Sequence, residues 1–477
     1  MSLFLTDFEQ WYDAYEAASP SQQYALIQAA IAQPIAVEYA EENDFGTILL
    51  ELWDLLVSHN LAKEALALIA TLQQRQPDLY QREFQYFADF LIRYHLFHHQ
   101  VDSVKDNLAQ FKANPIQGID QLFAVLDNLR FYGVAEPSID LCKTVYRPVQ
   151  SSNKVIGGAE IELGSVVIID LFDQAYRRLK QGEPVDWEAF GAEASEYGFE
   201  NDASMRAEIE HNLTVPIQVD AAFLKQFSQK RGSCLRQLML GFCRSMDEQQ
   251  QMSFVCSQAI WETLIEFLEQ RDLPKKQLTQ PAGYFGIDQA ALDGYVARKI
   301  GGFLSLQQSK GFAILWGIPY LYDFLYDLQV IEERIYQKVI AATRALKPQL
   351  IKGFQTQLWQ YDFVHRWQKP DSIPEAEFLA EAEQFAASLE QSEPLSDRPV
   401  DRFAFPSWLG SLGAKNLNPD IARDRVEPNA QPTPAVIPTW EPAKPRKSPL
   451  QEASDLAPKK PSQQSQQPER KKKKGFR

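Results

Sequence analysis

The chain has 477 residues, 45% of them hydrophobic, and a formal net charge of −15, so it is long enough for two or three cores and not for one. The charge is uneven: residues 401–477 carry 15 Lys and Arg against 8 Asp and Glu, which leaves the first 400 at −22. A body that acidic repels nucleic acid and anionic lipid, so contact with polyanions is expected through the tail only.

The opening residues, Met1-Ser2-Leu3-Phe4, lack the basic start and long apolar core of a secretory signal. Cys142, Cys234, Cys243 and Cys256 are scattered without zinc or CxxC spacing, and read as small buried thiols in a reducing cytoplasm. No membrane span is expected. The longest apolar stretch, Ile300 to Tyr322, is interrupted by Lys310, Gly311, Gly317 and Pro319 and reads as a buried helix kinked at the proline.

Residues 1–150 carry the clearest pattern. Phe45, Ile48, Leu49, Leu52, Leu55 and Leu56 line one face of a helix. A break at His59-Asn60 precedes a second amphipathic helix through Leu61, Ala65, Leu66, Ile69 and Leu72, closed by Pro77. The arrangement recurs around His98-His99-Gln100, closing at Pro115, and around Tyr132-Gly133, closing at Pro148. Aligning Asn60, Gln100 and Gly133 at the turns gives units of roughly 33 to 40 residues. These units resemble tetratricopeptide-type helical-hairpin repeats. The resemblance implies a stack of hairpins whose concave groove holds a peptide or protein partner.

Gln150 to about 160 reads as a linker, and 160–392 as a further all-α domain. Within it Val166-Val167-Ile168-Ile169 is β-branched, yet its flanks keep a helical period, so helix is expected. Helices are expected over Phe223–Met246 and Ser253–Leu268, then one long helix from Leu321 through Leu328, Ile331 and Ile335 to Leu346. Another is expected through Leu350, Phe354, Leu358 and Phe363, and a last one from Glu375 to Leu389. From 393 to 477 prolines become frequent, apolar residues thin out and Ser and Gln accumulate. Such a segment cannot bury enough apolar area to offset its ordering entropy, and disorder is expected. The fold class expected is therefore all-α, with a helical-hairpin, α-solenoid-like N-terminal region, a further helical unit and a disordered tail.

Chemistry-bearing motifs are scarce. His95, His98 and His99 have helical ligand spacing, but sit at a helix end and lack the glutamate of an HExxH site, so no metal is expected. Leu409-Gly410-Ser411-Leu412-Gly413 misses the first glycine of a nucleophile elbow. No phosphate-binding loop or dinucleotide fingerprint occurs, and no catalytic residue or cofactor is expected. Two tail segments are candidate contacts. Phe403, Phe405, Trp408 and Leu409 form a short docking motif. Arg470, Lys471, Lys472, Lys473, Lys474 and Arg477 form a polyanion contact.

The reading that follows is a cytoplasmic, non-catalytic interaction scaffold, or an assembly or regulatory factor, using a helical groove and a basic tail to hold protein partners. The alternatives are an RNA- or ribosome-associated protein bound through its C-terminus, and a helical enzyme whose pocket of convergent polar groups only a structure reveals.

Overall fold

A computed structural model describes residues 3–199, 203–301, 307–392 and 395. Every regular element among them is a helix, and the protein is all-α. None of these helices is long and apolar enough to cross a membrane. The described residues all fall in one compact unit.

Three tight hairpins follow one another: Phe45–Ser58 with Ala62–Arg75, Phe84–Phe97 with Val101–Ala113, and Ile119–Phe131 with Ala135–Ser151. Each turn uses the same local device. One residue enters the left-handed region, Asn60 (φ 54°), His99 (φ 56°) or Gly133 (φ 70°). The next residue's N–H then donates back to a carbonyl five positions earlier: Leu61 to Leu56, Gln100 to His95, Val134 to Leu129. This closes the last carbonyls of the first helix and aims the chain back along it. The equivalent position in the middle hairpin is thus His99, one residue before the Gln100 alignment. Pro77 and Pro115 lie outside the helices they follow, but Pro148 lies inside Ala135–Ser151.

Ala159–Lys180 is a single helix containing Val166, Val167, Ile168 and Ile169, all buried, as the flanking periodicity indicated. The long helix expected from Leu321 to Leu346 is instead a fourth hairpin, Gln308–Asp327 with Glu333–Gly353. Gln329 adopts φ 57° and Val330 N–H donates to Leu325. No glycine or asparagine announces this turn, and the apolar period runs through it because both helices face the same core. Pro319 lies inside the first of these helices. The helix expected through Leu350 to Phe363 also divides: Leu350 ends the Glu333–Gly353 helix, and Leu358–His365 is a 3-10 segment. The final helix spans Glu375–Ala387 and passes into a 3-10 turn at Ser388–Glu390.

Two apolar clusters fill the interior. One gathers the early hairpins, the Ala159–Lys180 helix and Trp359; the other gathers Phe131 with the later helices. The clusters interlock at their exchanged members. Trp359 lies against Phe90, Tyr94 and Phe97, while Phe131 stacks on Phe363 at 5.0 Å between ring centres. Trp367 Nε1 donates to the Phe131 carbonyl at 2.8 Å. The Ile119–Phe131 helix is consequently buried on nearly all sides, which matters for the charged residues it carries.

Candidate functional site

Four helices converge on a cavity of about 410 Å3. The enclosed Ile119–Phe131 helix supplies Asp127 and Arg130, three residues apart and so on one side. Phe254–Glu269 supplies Ala259, Glu262, Thr263 and Glu266 at i, i+3, i+4 and i+7, the last three polar on a mostly buried helix. The first turns of Ala159–Lys180 and Gln308–Asp327 bring Ile161, Glu162 and Lys310.

The charges are paired across helices. Arg130, 2% exposed, donates from Nη2 to Glu262 Oε2 at 2.5 Å and to Gln258 Oε1 at 3.5 Å. Lys310 Nζ lies 3.2 Å from Asp127 Oδ2 and 4.0 Å from Glu162 Oε1. Lys299 pairs with Glu266. Beneath them Ser309 Oγ donates to Asn128 Oδ1 at 2.8 Å, and Asn128 returns its amide to the Ala124 carbonyl. Four carboxylates thus meet three cations, and one negative charge is left over.

That surplus sits mainly on Glu162, whose only cationic neighbour within 4.0 Å among the described residues is the shared Lys310. Burial and the adjacent Asp127 carboxylate push the Glu162 carboxyl above its ordinary range, against the pull of Lys310 and Arg130. Asp127 in turn holds the Lys310 ammonium above the usual lysine range. Burial works against the Arg130 charge, but Glu262 and Asp127 more than offset it. The cavity therefore holds one carboxylate more than its cations, and Glu162 keeps its proton more readily than an exposed glutamate does.

One residue lining the cavity, Ile161, is an exposed apolar group. Ile156 and Ile161 are 88% and 69% exposed, on the loop and first turn that lead into Ala159–Lys180. Gly158, at φ 98°, turns the chain between them, and its N–H donates to Glu160 Oε2 at 3.0 Å.

The residues singled out in the sequence lie elsewhere. Phe403, Phe405, Trp408, Leu409, Arg470, Lys471, Lys472, Lys473, Lys474 and Arg477 are outside the described residues, as is all of the 393–477 stretch expected to be disordered except Leu395. The three histidines do not converge: His95 Nδ1 hydrogen-bonds with Gln100 Oε1 at 2.7 Å, His98 packs on the Tyr94 ring, and His99 forms the turn. Among the described residues no group of three or more His, Cys, Asp or Glu is placed to hold a metal ion. All four cysteines are buried free thiols. Burial pushes Cys142 and Cys256 up to about 12, well away from reactive thiolate.

The charged cavity was missed because its partners are remote in sequence. The signal available was Glu262 with Glu266, like charges four apart on a helix otherwise made of core residues, an unfavourable pair that asks for external cations. No family model, curated protein or solved structure matches the chain.

Proposed function

We propose that the protein is a non-catalytic interaction scaffold, an assembly or regulatory factor that holds a partner protein at the mouth of the charged cavity. One observation carries the reading: the exposed Ile161 lines a cavity whose carboxylates outnumber their cations, with Glu162 reached by Lys310 at 4.0 Å, and the exposed Ile156 lies five residues earlier on the loop leading into the same helix. Exposed isoleucines gain about 1.5 to 3 kcal/mol each when covered, and a pair beside a charged recess specifies what covers them. The matching partner segment presents a Lys or Arg between apolar residues. Its cation enters beside Glu162 while its apolar neighbours lie on the isoleucines, so that specificity comes from the charge and affinity from the rim.

On this reading the tail adds tethered contacts. The Phe403–Leu409 motif and the basic end at Arg470–Arg477 raise the local concentration of a partner already held by the body.

The test is a displayed library of random peptides selected against the full chain. Enriched sequences are expected to carry one basic residue flanked by apolar ones, and to lose binding to the Glu162→Gln and Ile161→Asp variants. Sequences without that pattern, or binding indifferent to both substitutions, would sink the reading.

A further inference from the structure

A second cavity, about 310 Å3, lies between the Gln308–Asp327, Glu333–Gly353 and Glu375–Ala387 helices. Pro319, Pro348, Pro374, Ile351 and Ile373 make rigid apolar walls, and the polar groups are confined to Thr343, Arg344, Lys347, Glu377 and Glu381. Lys347 is the unusual member. It is only 9% exposed, yet its Nζ makes no hydrogen bond with any described residue. The ammonium lies 4.5 Å from the centre of the Trp316 ring and 4.0 Å from Glu381 Oε1. Glu381 cannot swing closer without loss, because Trp316 Nε1 and His365 Nε2 both donate to that same oxygen. The cavity therefore holds the lysine nitrogen by charge and ring contacts, without a side-chain hydrogen bond to a described residue.

The surrounding charges decide what can satisfy it. An anionic ligand would face Glu377 and Glu381, and a cationic one would face Arg344 and Lys347. A neutral carbonyl compound meets neither repulsion, and its body suits the proline and isoleucine walls. Burial, with Arg344 adding to it, holds the Lys347 ammonium below the usual lysine range against the pull of Glu381 and Glu377. More of the nitrogen is thus a free amine at neutral pH than at the surface.

We propose that Lys347 is the covalent binding residue of a small-molecule site for a neutral aldehyde or ketone with a short apolar body, held in this cavity as an imine. The chemistry needs no redox partner. The Lys347 ammonium gives a proton to water, and the free amine adds to the carbonyl carbon. The C=O π pair moves to oxygen, and by way of solvent the oxygen takes up the two protons that the nitrogen gives up, so that it leaves as water while the nitrogen lone pair forms the C=N bond. This site stands apart from the partner-binding mouth, and neither proposal depends on the other.

The test uses butanal with cyanoborohydride on the full chain at pH 7, with the reduced butyl adducts located by peptide mass mapping. Lys347 is expected to be labelled at aldehyde concentrations roughly tenfold below those needed for the exposed Lys63 and Lys338. Labelling of Lys347 no earlier than these two overturns the proposal. Ile351→Phe, which narrows the cavity without touching the lysine, is expected to cut Lys347 labelling and leave the exposed lysines unchanged. Undiminished labelling in that variant also overturns it.

Discussion

Trp359 Nε1 donates to Asn60 Oδ1 at 2.6 Å, joining residues 299 positions apart in the buried interior. The Asn60 amide nitrogen donates in turn to the carbonyls of Ser388, Leu389 and Gln391, at 2.9, 3.2 and 3.1 Å. One turn residue of the first hairpin thereby fastens both the 3-10 segment and the end of the last helix. Ser388 reinforces the join, accepting from the Trp359 backbone N–H at 2.7 Å and donating to the Phe385 carbonyl.

Substitutions at the equivalent turns should therefore have opposite signs. Asn60→Ala strands the indole N–H and several carbonyls in the interior and adds left-handed strain, at a cost of about 3 kcal/mol. His99 and Gln329 have the same backbone but exposed side chains. His99→Gly and Gln329→Gly should each stabilise by about 0.5 to 1 kcal/mol, because glycine takes positive φ without a Cβ clash. Urea denaturation of the three variants checks this. A loss of stability at Gln329→Gly comparable to that at Asn60→Ala would contradict it.

The Arg130–Glu262 pair yields a second prediction. Arg130 is buried while the Glu262 side chain is 39% exposed. Glu262→Gln leaves a buried guanidinium short of countercharge, and the cost is set at about 2 kcal/mol, below the value for a fully buried pair. Replacing both, as Arg130→Met with Glu262→Met, should recover most of that loss because no orphan charge remains. Thermal unfolding of Arg130→Met, Glu262→Met and the double variant measures the coupling directly.

Glu162 makes the third, through pH. Its carboxyl is raised in the folded protein, so the folded state binds the proton more tightly than the unfolded chain. The resulting stabilisation is full below the ordinary glutamate range and is lost as pH rises through the folded value. Glu162→Gln removes that dependence. Relative to the parent, the variant should gain stability between about pH 4 and 7. A peptide bearing the matching Lys or Arg requires the ionised carboxylate, so its affinity should rise over the same window and release protons on binding. Calorimetry in two buffers of different ionisation enthalpy reads the proton count; proton uptake would contradict the placement of the cation.

How much of this was legible follows from separation along the chain. The break at His59-Asn60 could be read locally, since polar residues interrupt the apolar period there. Its partners Trp359 and Ser388 could not, because nothing near Asn60 reports on residues some three hundred positions away. The β-branched run at Val166–Ile169 yielded to its helical flanks, as period outweighs propensity when both faces are buried. At Gln329 the same reasoning failed: the period continued on both sides, and the turn is made by an ordinary residue held in place by packing. Lys310 read as an interruption in an apolar stretch and Arg130 gave no local signal; only the folded arrangement makes them interior countercharges to Asp127 and Glu262.

The loop ahead of Ala159–Lys180 supports a last prediction. Lys154 is exposed, flanked by Asn153 and Val155, between helices that end at Ser151 and begin at Ala159. Trypsin should nick there early, since the segment offers accessible backbone outside any helix. The pieces should nevertheless stay together. The Ala135–Ser151 and Ala159–Lys180 helices pack directly against each other, Phe131 lies in the later core, and Trp359 in the earlier one. Gel filtration of the nicked protein in native buffer should show one species of undiminished size, separating into two bodies only in denaturant. Fragments that part without denaturant would mean that the stretches before and after this loop are independently folded, and that the Asn60–Trp359 join contributes little to holding them.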